Sequence, residues 1–242
     1  MMWKNTYLTV FLVMFFFVSG TGQNIGLEKS FNPNSNRLQG KLYGEVYYMS
    51  TLANSKFFLQ NDWVEGTVIL TDGDIFTGVR LRYLAKDDEL VAYNDNLRSL
   101  FIVDRNTVKE FKVEGNNFGG SGRFVNLGII NISEGKNYFE LLCEGTASLL
   151  AYHWVEEIKV SPFTDSQGML RDSEYRLNES QYLLTKEKDL IKIQRKKSAL
   201  IKIYPEHRKE IKKILRRNKI ILFDDTSLIQ VIKLLDEAGI LK

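Results

Sequence analysis

Residues 63–113 read WVEGTVILTDGDIFTGVRLRYLAKDDELVAYNDNLRSLFIVDRNTVKEFKV, and this stretch decides the fold class. Short runs of Val, Ile, Leu, Tyr and Phe are cut at regular intervals by Asp72-Gly73, Lys86-Asp87-Asp88, Asn94-Asp95-Asn96 and Asp104-Arg105-Asn106. Such spacing predicts consecutive antiparallel strands joined by tight turns. Val79, Leu81 and Tyr83 alternate with Arg80 and Arg82, so one face of that strand is apolar and the other cationic. A two-sheet sandwich, a roll or an open barrel would each bury the apolar faces.

Outward from this meander, the chain before it lacks sustained periodicity until Leu42, with a turn at Asn32-Pro33-Asn34-Ser35. We expect an extended leader that joins the sheet near residues 46–48 or stays loose. On the other side, GNNFGGSG at 115–122 resembles a phosphate cradle in its glycines alone. A phosphate loop must open a helix, and Arg123-Phe124-Val125 reads as a strand, so a hairpin loop is expected. Tyr138–Cys143 and Ser148–Val155 read as two further strands, the second with some helical character. Residues 161–171, with Pro162 and Gly168, mark the expected boundary beyond which the chain becomes basic and helical.

In that last part, residues 182–184 and 190–193 suggest a hairpin. Pro205 and Glu206 suit the first turn of a helix with Ile211, Ile214 and Leu215 on its apolar stripe and Asn218 at its stop. Asp225 or Thr226 is placed to cap a final helix that buries Leu228, Ile229, Ile232 and Leu235 and closes at Gly239. The expected class is therefore α+β, mainly β: an antiparallel meander followed by a small C-terminal part with two helices. The expected divisions are 1–22, 23–160 and 161–242.

At the N-terminus, Lys4, the apolar run Tyr7–Val18 and Ser19-Gly20-Thr21-Gly22 follow the order of a secretory signal peptide. The run is shorter than the roughly 18 residues of a membrane span, so cleavage after Gly22 is expected rather than anchoring. No cysteine follows the cut, which argues against a lipoprotein. The mature chain is expected to be soluble in the periplasm or cell envelope. With one cysteine, Cys143, no intramolecular disulfide forms, and its place in YFELLC predicts a buried thiol.

The chemistry-bearing residue types are sparse. There are two histidines, His153 and His207, and no His-Glu-x-x-His, Cys-x-x-Cys or Gly-x-Ser-x-Gly pattern. Neither a metal site, a cofactor nor a catalytic residue is predicted, and His153, between Tyr152 and Trp154, reads as structural. Asp72/Asp74, Asp87/Asp88/Glu89 and Asp224/Asp225 fit turns and caps better than a calcium loop.

The strongest charge feature runs from Lys186 to Lys219: 14 lysines and arginines against four acidic residues, a net of +10 where the whole chain carries +3. Arg208, Lys212, Arg216 and Lys209, Lys213, Arg217 form two rows at helical spacing. These six are the candidate site for an anionic partner: an envelope protein, lipid head groups or polysaccharide. Nucleic acid is not expected, since no aromatic stacking series accompanies the charges. Two alternatives remain: a carrier whose β-barrel-like interior holds an apolar ligand beside Phe101, Phe111 and Phe124, and a hydrolase with carboxylates converging from separate strands.

The signal segment with its Thr21-Gly22-Gln23 junction, the Trp63-x-x-Gly66-x-Val68 start, Tyr138-Phe139-Glu140-Leu141-Leu142 and the basic helical tail resemble exported proteins of Bacteroidota. The resemblance implies a compartment and an architecture, and carries over no functional residue.

Overall fold

The Asp72-Gly73 step turns the chain back as its residue types dictate. Gly73 adopts φ +93°, open to glycine at no steric cost, and the Leu70 N–H meets the Asp74 carbonyl at 2.8 Å. That hairpin is one of a series in the computed structural model, which describes residues 24–28, 41–49, 55–115, 120–130, 132–133, 135–166 and 168–241. The signal peptide expected over residues 1–22 lies outside the described residues.

Twelve strands are described: β1 (Asn24–Glu28), β2 (Lys41–Val46), β3 (Val64–Leu70), β4 (Ile75–Leu84), β5 (Glu89–Asn94), β6 (Ser99–Val103), β7 (Val108–Gly115), β8 (Gly120–Asn126), β9 (Tyr138–Cys143), β10 (Ser148–Thr164), β11 (Leu170–Leu184) and β12 (Leu190–Ile193). Three helices follow: α1 (Lys197–Ile203), α2 (Arg208–Arg217) and α3 (Asp225–Glu237). The strands form one antiparallel sheet in the order β1-β2-β6-β5-β4-β3-β7-β8-β9-β10-β11-β12, open at both ends. The mainly β, α+β class holds.

Three details depart from the sequence expectation. The leader joins earlier, with β2 pairing β6 and β1 pairing β2. Strand β10 runs through the expected division at 160/161 and pairs with β11 from Ser148↔Leu184 to Thr164↔Leu170. The outer half of this hairpin is largely exposed, so its composition resembles that of a linker. The helices number three, not two: α1 is only seven residues long and buries only Leu200, too short a pattern for periodicity to register.

The sheet curls. Four strand steps separate β6 from β7, about 19 Å in a flat sheet. Only Asp104–Thr107 joins them, in a turn closed by the Thr107 N–H on the Asp104 carbonyl at 3.0 Å, which holds its ends within about 7 Å. The sheet must therefore fold over on itself. Inside the fold, Tyr83 of β4 reaches Phe124 of β8 at 5.4 Å between ring centroids, and Phe111 stacks on Phe124 at 4.7 Å. Phe101, Phe111, Phe124, Tyr83 and Tyr138 are all fully buried in this main core.

Asp88, at the β4–β5 turn, ties the curl shut. Its carboxylate accepts from the Tyr83 hydroxyl (2.7 Å), the Asn137 backbone N–H (2.6 Å) and side-chain amide (3.1 Å), and the Tyr138 N–H (3.2 Å). On the outer face, Arg80 and Arg82 do alternate away from the core, and each lies over an aromatic ring, Tyr93 at 4.0 Å and Phe58 at 3.8 Å.

A second core forms where the helices pack on the sheet. Ile211 and Leu215 of α2 and Leu228, Val231, Ile232 and Leu235 of α3 bury against Cys143, Leu149, Leu183 and Ile193. Burial pushes the Cys143 thiol up, as expected of an inert buried cysteine. Helix α3 starts at a capping box of Asp224 and Ser227, one or two residues before the expected Asp225 or Thr226. Gly239 at φ +70° ends it, and the Ile240 N–H returns to the Leu235 carbonyl at 3.0 Å. This core sets the helices, and hence the cationic run, against one end of the sheet.

Candidate functional site

Arg195, between β12 and α1, connects the two clefts that matter. It lines the first, and its two carboxylate partners line the second.

The first cleft, about 900 Å³, has walls of Arg195, Lys196, Lys197, Lys212, Arg216 and Lys219 over a floor that includes Leu215, Ile220 and Leu222. Its shape follows from how α2 ends. The Asn218 side chain donates to the Ile214 carbonyl at 2.9 Å and Lys219 turns left-handed at φ +52°. The Ile220 N–H then bonds the Leu215 carbonyl at 3.0 Å. Ile220 packs on the helical core, while Ile221 and Phe223 stand out at 78% and 73% exposure.

All six sequence candidates lie exposed on α2. The fold brings Lys212 and Arg216 into the cleft and leaves Arg208, Lys209, Lys213 and Arg217 outside its walls. Among the described residues none of the six makes an ion pair with an acidic side chain. The nearby Glu210 instead meets His207, Oε2 to Nδ1 at 2.6 Å. Sequence reasoning missed Arg195, Lys196, Lys197 and Lys219 as wall residues. They belong to the same basic run, but nothing local shows that α1 and the α2 C-terminus face one space.

The second cleft, about 840 Å³, lies at the mouth of the curled sheet beside the start of α3. Glu140, His153, Asn178, Glu179, Asp225 and Thr226 line it, with Leu59, Leu142 and Leu177. His153 does have a partner: its Nε2 lies 2.6 Å from Glu140 Oε2, and both are mostly buried. Strand register makes the meeting, since His153 stands opposite Glu179 while Glu140 stands opposite Ala151, one position along on the same face.

Arg195 clamps Asp225, with Nη2 2.8 Å from each carboxylate oxygen and Nε at 3.0 Å from Oδ1, and it also pairs with Glu179. Two carboxylates thus share one guanidinium. Burial pushes the Asp225 carboxyl up, and the neighbouring Glu179 adds to this against the pull of Arg195. Burial opposes the charge on the Arg195 guanidinium, but the hydrogen bonds it donates to Asp225 and Glu179, with their charges, outweigh this and raise its pKa.

Among the described residues no group of three or more His, Cys, Asp or Glu side chains is placed to hold a metal ion, and no helix is long and apolar enough to cross a membrane. Comparison with known proteins finds no matching family model, no similar curated protein and no similar solved structure.

Proposed function

We propose that the protein is an exported, envelope-associated binding module that docks on an anionic lipid surface through the first cleft and the exposed face of α2. The observation that carries this is the meeting, in one cleft, of Lys212 and Arg216, which make no ion pair among the described residues, with the exposed side chain of Ile221, followed two residues on by the equally exposed Phe223. Each lysine or arginine held at an anionic membrane surface contributes about 1 kcal/mol, and each apolar side chain taken out of water about 1.5–3 kcal/mol. Cations ringing exposed apolar groups match a bilayer interface, where head groups lie above acyl chains. A polysaccharide satisfies the cations and leaves Ile221 and Phe223 without a role.

What favours docking over an internal apolar-ligand carrier is the packing of Phe101, Phe111 and Phe124. They press on one another and on Tyr83 and Tyr138 instead of lining either cleft.

The test is co-sedimentation of the chain starting at Gln23 with vesicles of phosphatidylglycerol and phosphatidylcholine, beside a heparin column. The wild type is expected to sediment with the anionic vesicles and not with pure phosphatidylcholine. A variant with Lys212, Lys213, Arg216 and Arg217 changed to Glu is expected to stay in solution. Equal sedimentation of the two proteins, or retention on heparin without binding to vesicles, overturns the proposal.

A further inference from the structure

We propose that two copies of this chain pair edge to edge through the outer half of β11, around a two-fold axis at Tyr175. The pairing extends the sheet from one copy into the other and uses a surface separate from the docking face on α2.

Strand β11 pairs with β10 along one side, but with β12 on the other side only from Gln181 to Leu184. Across the β11–β12 turn the Thr185 N–H bonds the Asp189 carbonyl at 3.0 Å, so odd-numbered residues of β11 turn their N–H and C=O groups towards the β12 side. The register against β10 is unbroken from Leu184 to Ser173, and the alternation therefore continues past the end of β12. Ser173, Tyr175 and Leu177 each present a donor and an acceptor along an edge that no strand covers among the described residues. The helical turn Ser55–Phe57 packs on the face of the ribbon instead, with the Phe57 and Tyr175 rings edge to face at 4.6 Å between centroids.

The opposite edge of the same ribbon is protected where this one is not. Strand β10 is paired by β9 only from Leu149 to Ala151, and beyond that it carries Lys159, Pro162 and a bulge between Lys159 and Phe163. These are the features that keep a free edge from pairing with another chain. Strand β11 holds neither lysine nor proline, and the surplus residues of the bulge lie in β10.

The side chains select a second copy as the occupant. With Tyr175 on the axis, antiparallel pairing sets Glu174 of each copy directly opposite Arg176 of the other. These are non-hydrogen-bonded positions, where facing side chains approach most closely. Both residues are exposed, and neither makes an ion pair among the described residues. Moving the axis by one residue sets Glu174 against Glu174 or Arg176 against Arg176, so the charges admit one register and reject its neighbours. A two-fold axis makes both ion pairs at once, because the same patch meets itself.

The test is sedimentation velocity on the chain starting at Gln23. The wild type is expected to form a dimer. Arg176→Glu and Glu174→Arg are each expected to weaken it about thirtyfold, since both symmetric pairs turn from attraction to repulsion. An equimolar mixture of the two variants is expected to dimerise again, because each charge then faces its opposite, and so is the double variant carrying both changes. Recovery in the mixture separates loss of pairing from loss of folding. Amide hydrogen exchange places the contact: Ser173, Tyr175 and Leu177 are expected to be protected in the dimer and to exchange quickly in Arg176→Glu, while Asn178 and Ser180, bonded to β10, stay protected in both. Reversing the charges of α2 is expected to leave the dimer unchanged, so failure here and failure of membrane docking are separable. A wild type that stays monomeric at about 1 mM, a dimer indifferent to the single changes, a mixture that stays monomeric, or equal exchange of the Ser173, Tyr175 and Leu177 amides in wild type and variant each overturns the proposal.

Discussion

Replacing Asp88 is expected to loosen the curled sheet more than any other single change at a turn. In the folded protein its carboxylate satisfies four donors on Tyr83, Asn137 and Tyr138. Tyr83 and Tyr138 are fully buried and Asn137 nearly so, and a buried donor left unpaired costs about 1–3 kcal/mol. Asp88→Ala strands the Tyr83 hydroxyl and the two backbone N–H groups. It also places alanine at φ +56°, which adds about 1 kcal/mol. We expect a total loss of about 5 kcal/mol, a large part of the stability of an ordinary domain. Asp88→Asn keeps one carbonyl oxygen for Tyr83 and Tyr138 but turns an amide towards the Asn137 donors, for a loss of about 2 kcal/mol. Urea denaturation followed by tryptophan fluorescence reads both, as a lower midpoint at unchanged slope.

The pH dependence gives a second handle on the same residue. Burial pushes the Asp88 carboxyl up in the folded state, against the pull of its hydrogen bonds. The folded protein therefore binds this proton more tightly than the unfolded chain. Its contribution to stability is complete below the ordinary carboxyl range and is lost as pH rises through the raised folded value. Asp88→Asn is expected to remove that downward slope. If both variants lie within about 1 kcal/mol of wild type, and the slope survives, the reasoning on Asp88 is refuted.

Two smaller changes test other parts of the structure. Phe223→Ser is expected to lower partition into anionic vesicles about thirtyfold, since one aromatic side chain no longer leaves water, and to leave the circular dichroism spectrum intact because Phe223 stands in solvent. Asp224→Ala removes the side-chain half of the capping box on α3, the acceptor of the Ser227 N–H, and is expected to cost about 1 kcal/mol in urea denaturation, with Asp224→Asn recovering most of it.

Much of this fold was legible because its signals are local. The period-two alternation of residues 75–84, the turn chemistry of Asp72-Gly73 and the 3.6-residue stripe of Ile211, Ile214 and Leu215 each depend on neighbours a few positions away. The same is true of the cationic rows on α2 and of the buried setting of Cys143. Where a local pattern was weak or ambiguous, the expectation failed. Helix α1 is too short to show a period, and the ribbon formed by the outer halves of β10 and β11 is solvated, so its polar sequence resembled a domain boundary.

The amino-acid sequence by itself determined the strands, the caps and the net charge of the basic run, since backbone sterics, side-chain periodicity and charge do not depend on distant contacts. Only tertiary structure decided what meets across the sheet. The curl that lets Asp88 reach Asn137, the β9–β10 register that sets Glu140 against His153, and the packing that brings Asp225 of α3 to Arg195 join residues 49, 13 and 30 positions apart. Such meetings are fixed by strand order and by the shared burial of apolar faces, and no stretch of the chain carries either one alone.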